Sequence, residues 1–212
     1  MIIGKIDYIN LLPFYVFLRR HLHSSERAAL EYRKGAPRHI NTLLRKGRVE
    51  AAVISSIHSA KYRCSDFGIV AHKEVLSVLV CPGEAQEDTE SETSNRLARI
   101  LQVQGRILIG DKALKIKNPH GCKDLAKLWY DKYHLPFVFA RFCYRKNAKK
   151  YQQLADKFLS TRVKIPYYLV RRYAARSDLS IKELYAYLAR IHYRIGHKEK
   201  RALKKFLYLA KK

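Results

Sequence analysis

Three times within its first sixty residues the chain passes from a short β-prone run into a helix-forming segment. Few architectures are open to a sequence that does so. Ile2, Ile3, Ile6 and Tyr8 lead to a turn at Asn10, and Pro13 then opens the helical segment PFYVFLRRHL. The run AALEYRK alternates like a strand up to Gly35. Pro37 begins a second helix, PRHINTLLRKG, in which Ile40, Leu43 and Leu44 form an apolar stripe and Gly47 is the stop. VEAAVIS is nearly continuous in apolar character; it ends at Ser55 and Ser56, ahead of a short helix through Ile57 and Ala60. The order βαβαβα implies an α/β fold on a parallel sheet with helices on its faces, and ligands in such sheets bind beyond the carboxyl ends of the strands. Asn10, Ser55 and Ser56 fall at such ends.

Farther on, FGIVAHK and VLSVLVCPG read as a strand pair. The polar, acidic stretch GEAQEDTESETS follows and reads as a linker into a second lobe. The second lobe continues as a helix (TSNRLARILQ), a strand (RILIG), a helix (CKDLAKLWYDKYH) and an apolar strand (LPFVFARF), before four helical segments finish the chain. Among these, Ser180 and Glu183 form a capping box ahead of Leu184, Tyr187, Leu188 and Ile191 on one face, and Leu203, Phe206, Leu207 and Ala210 repeat the pattern. Both read as packing helices. The expected division is a larger, discontinuous lobe of residues 1–80 and 144–212 and a smaller lobe of residues 81–143.

Lys and Arg outnumber Asp and Glu by 43 to 18, a formal charge of +25, so the surface attracts anions. Charge alone does not choose among nucleic acid, acidic membrane and small carboxylate metabolites. From Arg141 onward there are 21 basic residues against four acidic ones, which reads as a solvated outer face. Tyr167, Tyr168 and Tyr173 stand among Arg171, Arg172 and Arg176, but no nucleic-acid motif surrounds them, and nucleic acid is not the expected partner. No apolar stretch approaches the roughly 20 residues of a membrane span, and no leader pattern opens the sequence, so the expectation is a cytoplasmic protein without membrane contact. Cys64, Cys81, Cys122 and Cys143 form no C-x-x-C pair and read as reduced structural thiols. Of nine histidines only His21 and His23 stand close together, at a polar helix end, so no metal site is expected.

No nucleophile elbow, zinc-protease motif or phosphate loop is present. What the sequence does offer is small polar residues at strand ends: Asn10, Ser55, Ser56, Ser77 and the pair Thr93-Ser94 opening a helix. A helix N-terminus presents free N–H groups and the positive end of the dipole, a natural seat for a carboxylate. Each such residue taken singly also suits ordinary N-capping. Together they point to a shared polar cleft for an anion. Asp111, at the end of the apolar strand ILIG, is placed either to enter that cleft or to cap the next helix.

In order and over nearly the whole chain, these residues resemble the chorismate dehydratase (MqnA) family. The matching stretches are Tyr8-Ile9-Asn10-Leu11-Leu12-Pro13-Phe14, Gly35-Ala36-Pro37 with Ile40-Asn41, Gly47-Arg48-Val49-Glu50, Ile54-Ser55-Ser56-Ile57 and Leu76-Ser77-Val78-Leu79. Thr93-Ser94, Leu108-Ile109-Gly110-Asp111-Lys112-Ala113-Leu114, Asp124 to Trp129 and Leu135-Pro136-Phe137-Val138-Phe139-Ala140 continue the set. The resemblance implies a two-lobed fold like the type 2 periplasmic binding proteins, with a trimmed second lobe and C-terminal helices. It implies dehydration of chorismate to 3-[(1-carboxyvinyl)oxy]benzoate on the futalosine route to menaquinone, with no cofactor and no metal. Carried over residue by residue, Asn10 and Ser77 would be the catalytic pair, and Ser55, Ser56, Thr93, Ser94 and Asp111 would hold the substrate. Asn10 would meet the departing hydroxyl. With no obvious protein base, the substrate's own enolpyruvyl carboxylate is a candidate proton acceptor. Two departures stand out: only a few residues, around Gln102 to Arg106, join the Thr93 helix to the next strand, and Arg141-Phe142 follows LPFVFA where the family often has an apolar residue and Trp. The alternatives carried forward are the sister dihydroxynaphthoate synthase, a non-catalytic anion-binding protein of the same fold, and a basic nucleic-acid-binding protein. Oligomeric state is left open.

Overall fold

The computed structural model describes residues 1–116 and 119–211. The first half runs β1 (Ile3–Ile6), a 3-10 turn (Ile9–Leu11), α1 (Leu12–His21), α2 (Ser24–Tyr32), β2 (Lys34–Gly35), α3 (Pro37–Arg45), β3 (Ala51–Ser55), α4 (Ser56–Ser59) and β4 (Arg63–Ala71). The chain then builds β5 (Val78–Cys81), α5 (Glu92–Leu101), β6 (Arg106–Ile109), α6 (Gly110–Leu114), β7 (Lys123–Asp124) and α7 (Leu125–Tyr133). It finishes with β8 (Phe137–Tyr144), α8 (Ala148–Ser160), α9 (Tyr167–Arg176), α10 (Ile181–Leu188), β9 (His192–Arg194) and α11 (His197–Leu209).

Two sheets result. The larger has the order β2-β1-β3-β8-β4-β9, and the smaller β6-β5-β7. The βαβ periodicity of the first fifty-five residues produces parallel pairing of β1 with β2 and β3, as the alternation requires. The rest of the large sheet is antiparallel, because β8 returns from the smaller lobe and inserts between β3 and β4. A wholly parallel sheet, expected from the opening alternation, is therefore corrected to a mixed one. The same return places residues 137–144 inside the large sheet, although the sequence division put 137–143 in the small lobe. β4 and β5 are not a pair; they lie in different sheets, and residues 72–77 carry the chain between them.

Further differences have local causes. Residues 28–32, read as a strand, close α2: His23 caps that helix, and Glu26 answers to the His23 N–H at 3.1 Å, which leaves only Lys34 and Gly35 for the sheet. The acidic stretch is no free linker. The Asp88 carboxylate accepts from the N–H groups of Glu90 and Ser91, Asn95 brackets the Asp88 backbone on both sides, and Gln86 bridges to Arg106. The cysteines, expected as free thiols, are paired. Cys64 and Cys143 stand opposite each other on β4 and β8, and Cys81 at the end of β5 meets Cys122 ahead of β7. Register across a sheet, which spacing along the chain does not show, brings them together.

The core of the large lobe is aromatic. Phe14 of α1, Phe67 of β4 and Phe158 of α8 meet with ring centroids 4.5 to 5.1 Å apart, in tilted or edge-on geometry. Trp129 of α7 packs edge-on against Phe137 and donates its indole N–H to the Pro136 carbonyl at 3.1 Å, anchoring the return crossing at 134–136. The Ser180–Glu183 capping box and the burial of Leu184 and Tyr187 are as the sequence indicates.

Candidate active site

A cleft opens where the two lobes meet at the carboxyl ends of β1 and β3. Ile6, Leu11, Val53, Val75, Ile109 and Phe139 supply apolar walls; Tyr8, Asn10, Ser55, Ser77, Ser91 and Ser94 supply the polar groups. Among the described lining residues none is charged.

Each polar group is held from behind. Asn10 lies in the 3-10 turn that links β1 to α1, and its main-chain carbonyl accepts from the Tyr193 hydroxyl at 2.7 Å. Its side-chain Oδ1 is buried and has no partner among the described residues. Leaving such an acceptor unmatched costs about 1–3 kcal/mol. Ser55 ends β3 and is clamped by Asn41 of α3, which donates to Ser55 Oγ at 3.0 Å and accepts from the Ser55 N–H at 3.2 Å. Ser77, immediately before β5, is 2% exposed; its carbonyl accepts from the Gly110 N–H at 2.8 Å and its Oγ receives the Tyr187 hydroxyl at 3.0 Å.

The N-terminus of α5 faces the cleft, one to two residues earlier than the sequence places it. Ser91 is the N-cap, accepting from the Ser94 N–H at 3.2 Å, and the two hydroxyls lie 2.8 Å apart. Positions three apart share a helix face, so Ser91 and Ser94 look into the cleft together. Thr93 is rotated away and accepts from the Ile57 N–H at 3.3 Å, tying α5 to α4. Gly110, at the start of α6, also lines the cleft; its φ of +57° is left-handed, and a Cβ there would come within 2.9 Å of the Tyr8 ring. Burial pushes the Tyr8 phenol well above its usual range, helped by Glu90, to which the hydroxyl donates; it stays protonated.

Of the residues the sequence nominated, Asn10, Ser55, Ser77 and Ser94 come together here. Three do not. The Ser56 hydroxyl donates to the Val138 carbonyl at 2.6 Å, stitching β8 to α4. Thr93 serves the α4–α5 contact described above. Asp111 points to the rim, where Arg176 of α9 donates to its Oδ2 at 2.7 Å and to Asp7 Oδ2 at 2.9 Å. Burial tends to raise the Asp7 carboxyl, but the Tyr173 hydrogen bond and the Arg176 and Lys5 charges outweigh it and hold the carboxyl below its usual value. His21 stacks on Phe17 and His23 caps α2, and no cluster of metal-binding side chains is found among the described residues.

The model of a family described as menaquinone biosynthesis matches residues 1–105 and 102–212. The chorismate dehydratase of Campylobacter jejuni is 48% identical over 219 residues, covering all of this chain and 98% of that one. The chain belongs to the chorismate dehydratase family. A second member, the chorismate dehydratase of Thermus thermophilus, is 28% identical over 200 residues, covering 68% of this chain and 70% of its own. The two segments matched by the dehydratase family model meet at 102–105, in the short link between α5 and β6 where the sequence shows too few residues. Full-length agreement with the Campylobacter enzyme shows that this abbreviated dehydratase lobe is not peculiar to the present chain. Among solved structures, a protein of Archaeoglobus fulgidus superposes with a TM-score of 0.62 at 15% identity, covering 99% of this chain and 96% of that one. A Candida albicans protein described as having the generic periplasmic binding protein fold superposes with a TM-score of 0.54 at 11% identity, covering 99% and 89%. They establish the two-lobed fold of this dehydratase family member.

Sequence reasoning missed Tyr8, Ser91 and Tyr187. Ser91 lay within the acidic stretch dismissed as a linker. Tyr187 carried a helical packing pattern, which is correct for its ring and silent about its hydroxyl.

Proposed function

We propose that the chain dehydrates chorismate to 3-[(1-carboxyvinyl)oxy]benzoate, acting as a hydro-lyase in menaquinone synthesis by the futalosine route. The observation that carries this reading is the buried, unmatched Oδ1 of Asn10 in a cleft without charged lining. An acceptor fixed there receives the hydrogen of the substrate hydroxyl and orients it for departure. The Ser91 and Ser94 hydroxyls at the positive end of the ten-residue α5, with Ser55 opposite, seat the substrate's carboxylates.

With no Asp, Glu, His, Lys or Arg among the lining residues, the ring proton goes to the substrate's own enolpyruvyl carboxylate. The electron pair of the broken C–H bond enters the ring, the hydroxyl leaves with its C–O electrons, and the proton ends on that oxygen as water. Aromatisation supplies driving force, so the protein's task is positioning more than strong base catalysis. No cofactor takes part in this reading. A cytoplasmic location accompanies it.

Incubating the purified protein with chorismate and following the ultraviolet spectrum of the aromatic enolpyruvyl ether tests the assignment. Steady accumulation of that product is expected. Folded protein that leaves chorismate unchanged would falsify it, and tight binding without turnover would point to an anion-binding protein instead.

A further inference from the structure

Tyr187 reaches the cleft from behind. It sits on α10, 110 residues from Ser77 in sequence, and is 2% exposed. It does not line the cleft, whereas its two polar neighbours do: its hydroxyl donates to Ser77 Oγ at 3.0 Å, and the Asn10 side chain acts on the same hydroxyl, partly opposing the strong upward push of burial on the phenol. A phenol is a stronger acid than an aliphatic alcohol, so in this pair the tyrosine is the donor and the serine the acceptor. Ser77 then keeps its own hydrogen, which has no acceptor among the described residues.

We propose that Tyr187 is a positioning residue for the dehydration: by donating to Ser77 Oγ it fixes that hydroxyl as a hydrogen-bond donor into the cleft, aimed at the oxygen that leaves the substrate. This rests on the dehydratase reading. The leaving oxygen gains negative charge as its bond to the ring lengthens, and a donor held in place before the reaction stabilises that charge without reorganisation. Asn10 Oδ1 accepts the hydrogen already on that oxygen while Ser77 donates to its free lone pair, so the two side chains grip it from complementary sides. No proton passes through Tyr187 or Ser77; each ends the cycle as it began. A chain of donors from Tyr187 to Ser77 polarises the serine further.

Tyr187→Phe keeps the ring and deletes only the hydroxyl. Its kcat should fall about 10-fold with KM changed less than about 2-fold, because the bond strengthens in the transition state and not in the ground state. Ser77→Ala should lose about 100-fold, and adding Tyr187→Phe to it should cost less than about 2-fold more, since the hydroxyl through which Tyr187 acts is gone. A tyrosine that only fills space predicts the same fold loss in both backgrounds, and that result overturns the proposal, as does wild-type kcat in Tyr187→Phe. Should the phenylalanine variant fail to fold, as judged by circular dichroism, Tyr187→Met carries the same two expectations. Absence of turnover in the wild-type chain overturns the dehydratase reading and this proposal with it; turnover left undiminished by loss of the Tyr187 hydroxyl overturns this proposal alone.

Discussion

Two polar bridges span the lobes side by side, built from neighbouring stretches of chain yet opposite in character. At the rim Arg176 joins Asp7 to Asp111, three ionised groups each about one-fifth to one-third exposed. Deeper in, Tyr187 stands behind the cleft wall against Asn10 and Ser77, which line it, three neutral groups in all. Asp7 and Asn10 come from the same connection after β1, Ser77 and Asp111 from the small lobe, and the bridging residues from α9 and α10 of the C-terminal helices. The ion pairs lie at the partly exposed rim, and only dipoles line the cleft, where an unpaired ion would be costly. The outer bridge sets how the lobes meet; the inner one sets what the meeting surfaces offer to a ligand.

The largest expected effect lies in the inner set. Asn10→Ala should lower kcat by about 100-fold or more, while the melting temperature changes little, because the variant removes an unmatched buried acceptor together with the amide's contact to the Tyr187 hydroxyl. A thermal melt beside the turnover assay checks both halves; a large fall in stability would show that the amide is structural. Next comes the Tyr187 hydroxyl, with the roughly tenfold loss and the non-additivity given above. Breaking the outer bridge should act differently. Arg176→Met leaves Asp7 and Asp111 without their shared cation, so KM should rise a few-fold with little change in kcat, and the melting temperature should drop by about 2–4 °C. Added salt should reproduce part of that KM effect in the wild type and none of it in the variant.

The acid limb of stability separates the two bridges again. Asp7 holds its proton less tightly in the folded chain than its ordinary value of 3.8. The stabilisation is therefore complete above that value and is lost as pH falls through the lower folded one. Arg176→Met should begin to unfold at higher pH than the wild type, followed by circular dichroism between about pH 5 and 2; coincident curves would remove Arg176 from the account of Asp7. The smallest effect is expected on the outside. Lys204→Ala with Lys205→Ala, on the exposed face of α11, should change turnover by less than about 2-fold. A larger loss would give the C-terminal charge a part in the reaction.

What the sequence made legible was local. The strand-to-helix switches at Asn10 and Ser55 follow from hydrophobic period and from proline and glycine placement, and the cleft lies where that topology puts it. The α5 N-terminus shows the limit. Ser91, Thr93 and Ser94 are equally good capping residues on paper; only the phase of the helix, set by Asp88 and Asn95 pinning the loop before it, turns Ser91 and Ser94 inward and Thr93 outward. Asp111 and Ser56 were misjudged for a similar reason. Their partners, Arg176 and the Val138 carbonyl, lie 65 and 82 residues away, and no periodicity within a segment reports a contact at that range. Tyr187 was hidden by its own consistency, since an apolar stripe accounts for a buried ring and leaves the hydroxyl unread.

The distance in sequence between Asn10 and its supports, Tyr187 and Tyr193, also bears on how the protein comes into being. A ribosome delivers the cleft's front wall early and its backing nearly last. Until residue 193 has emerged, the Asn10 carbonyl lacks its donor and Ser77 has nothing to fix the direction of its hydroxyl. The nascent chain can already form the parallel β1–β3 pairing, but it holds an unfinished site. The cleft is then completed only with the docking of α10 and β9, and a chain halted before them would carry Asn10 and Ser77 without the tyrosines that hold them.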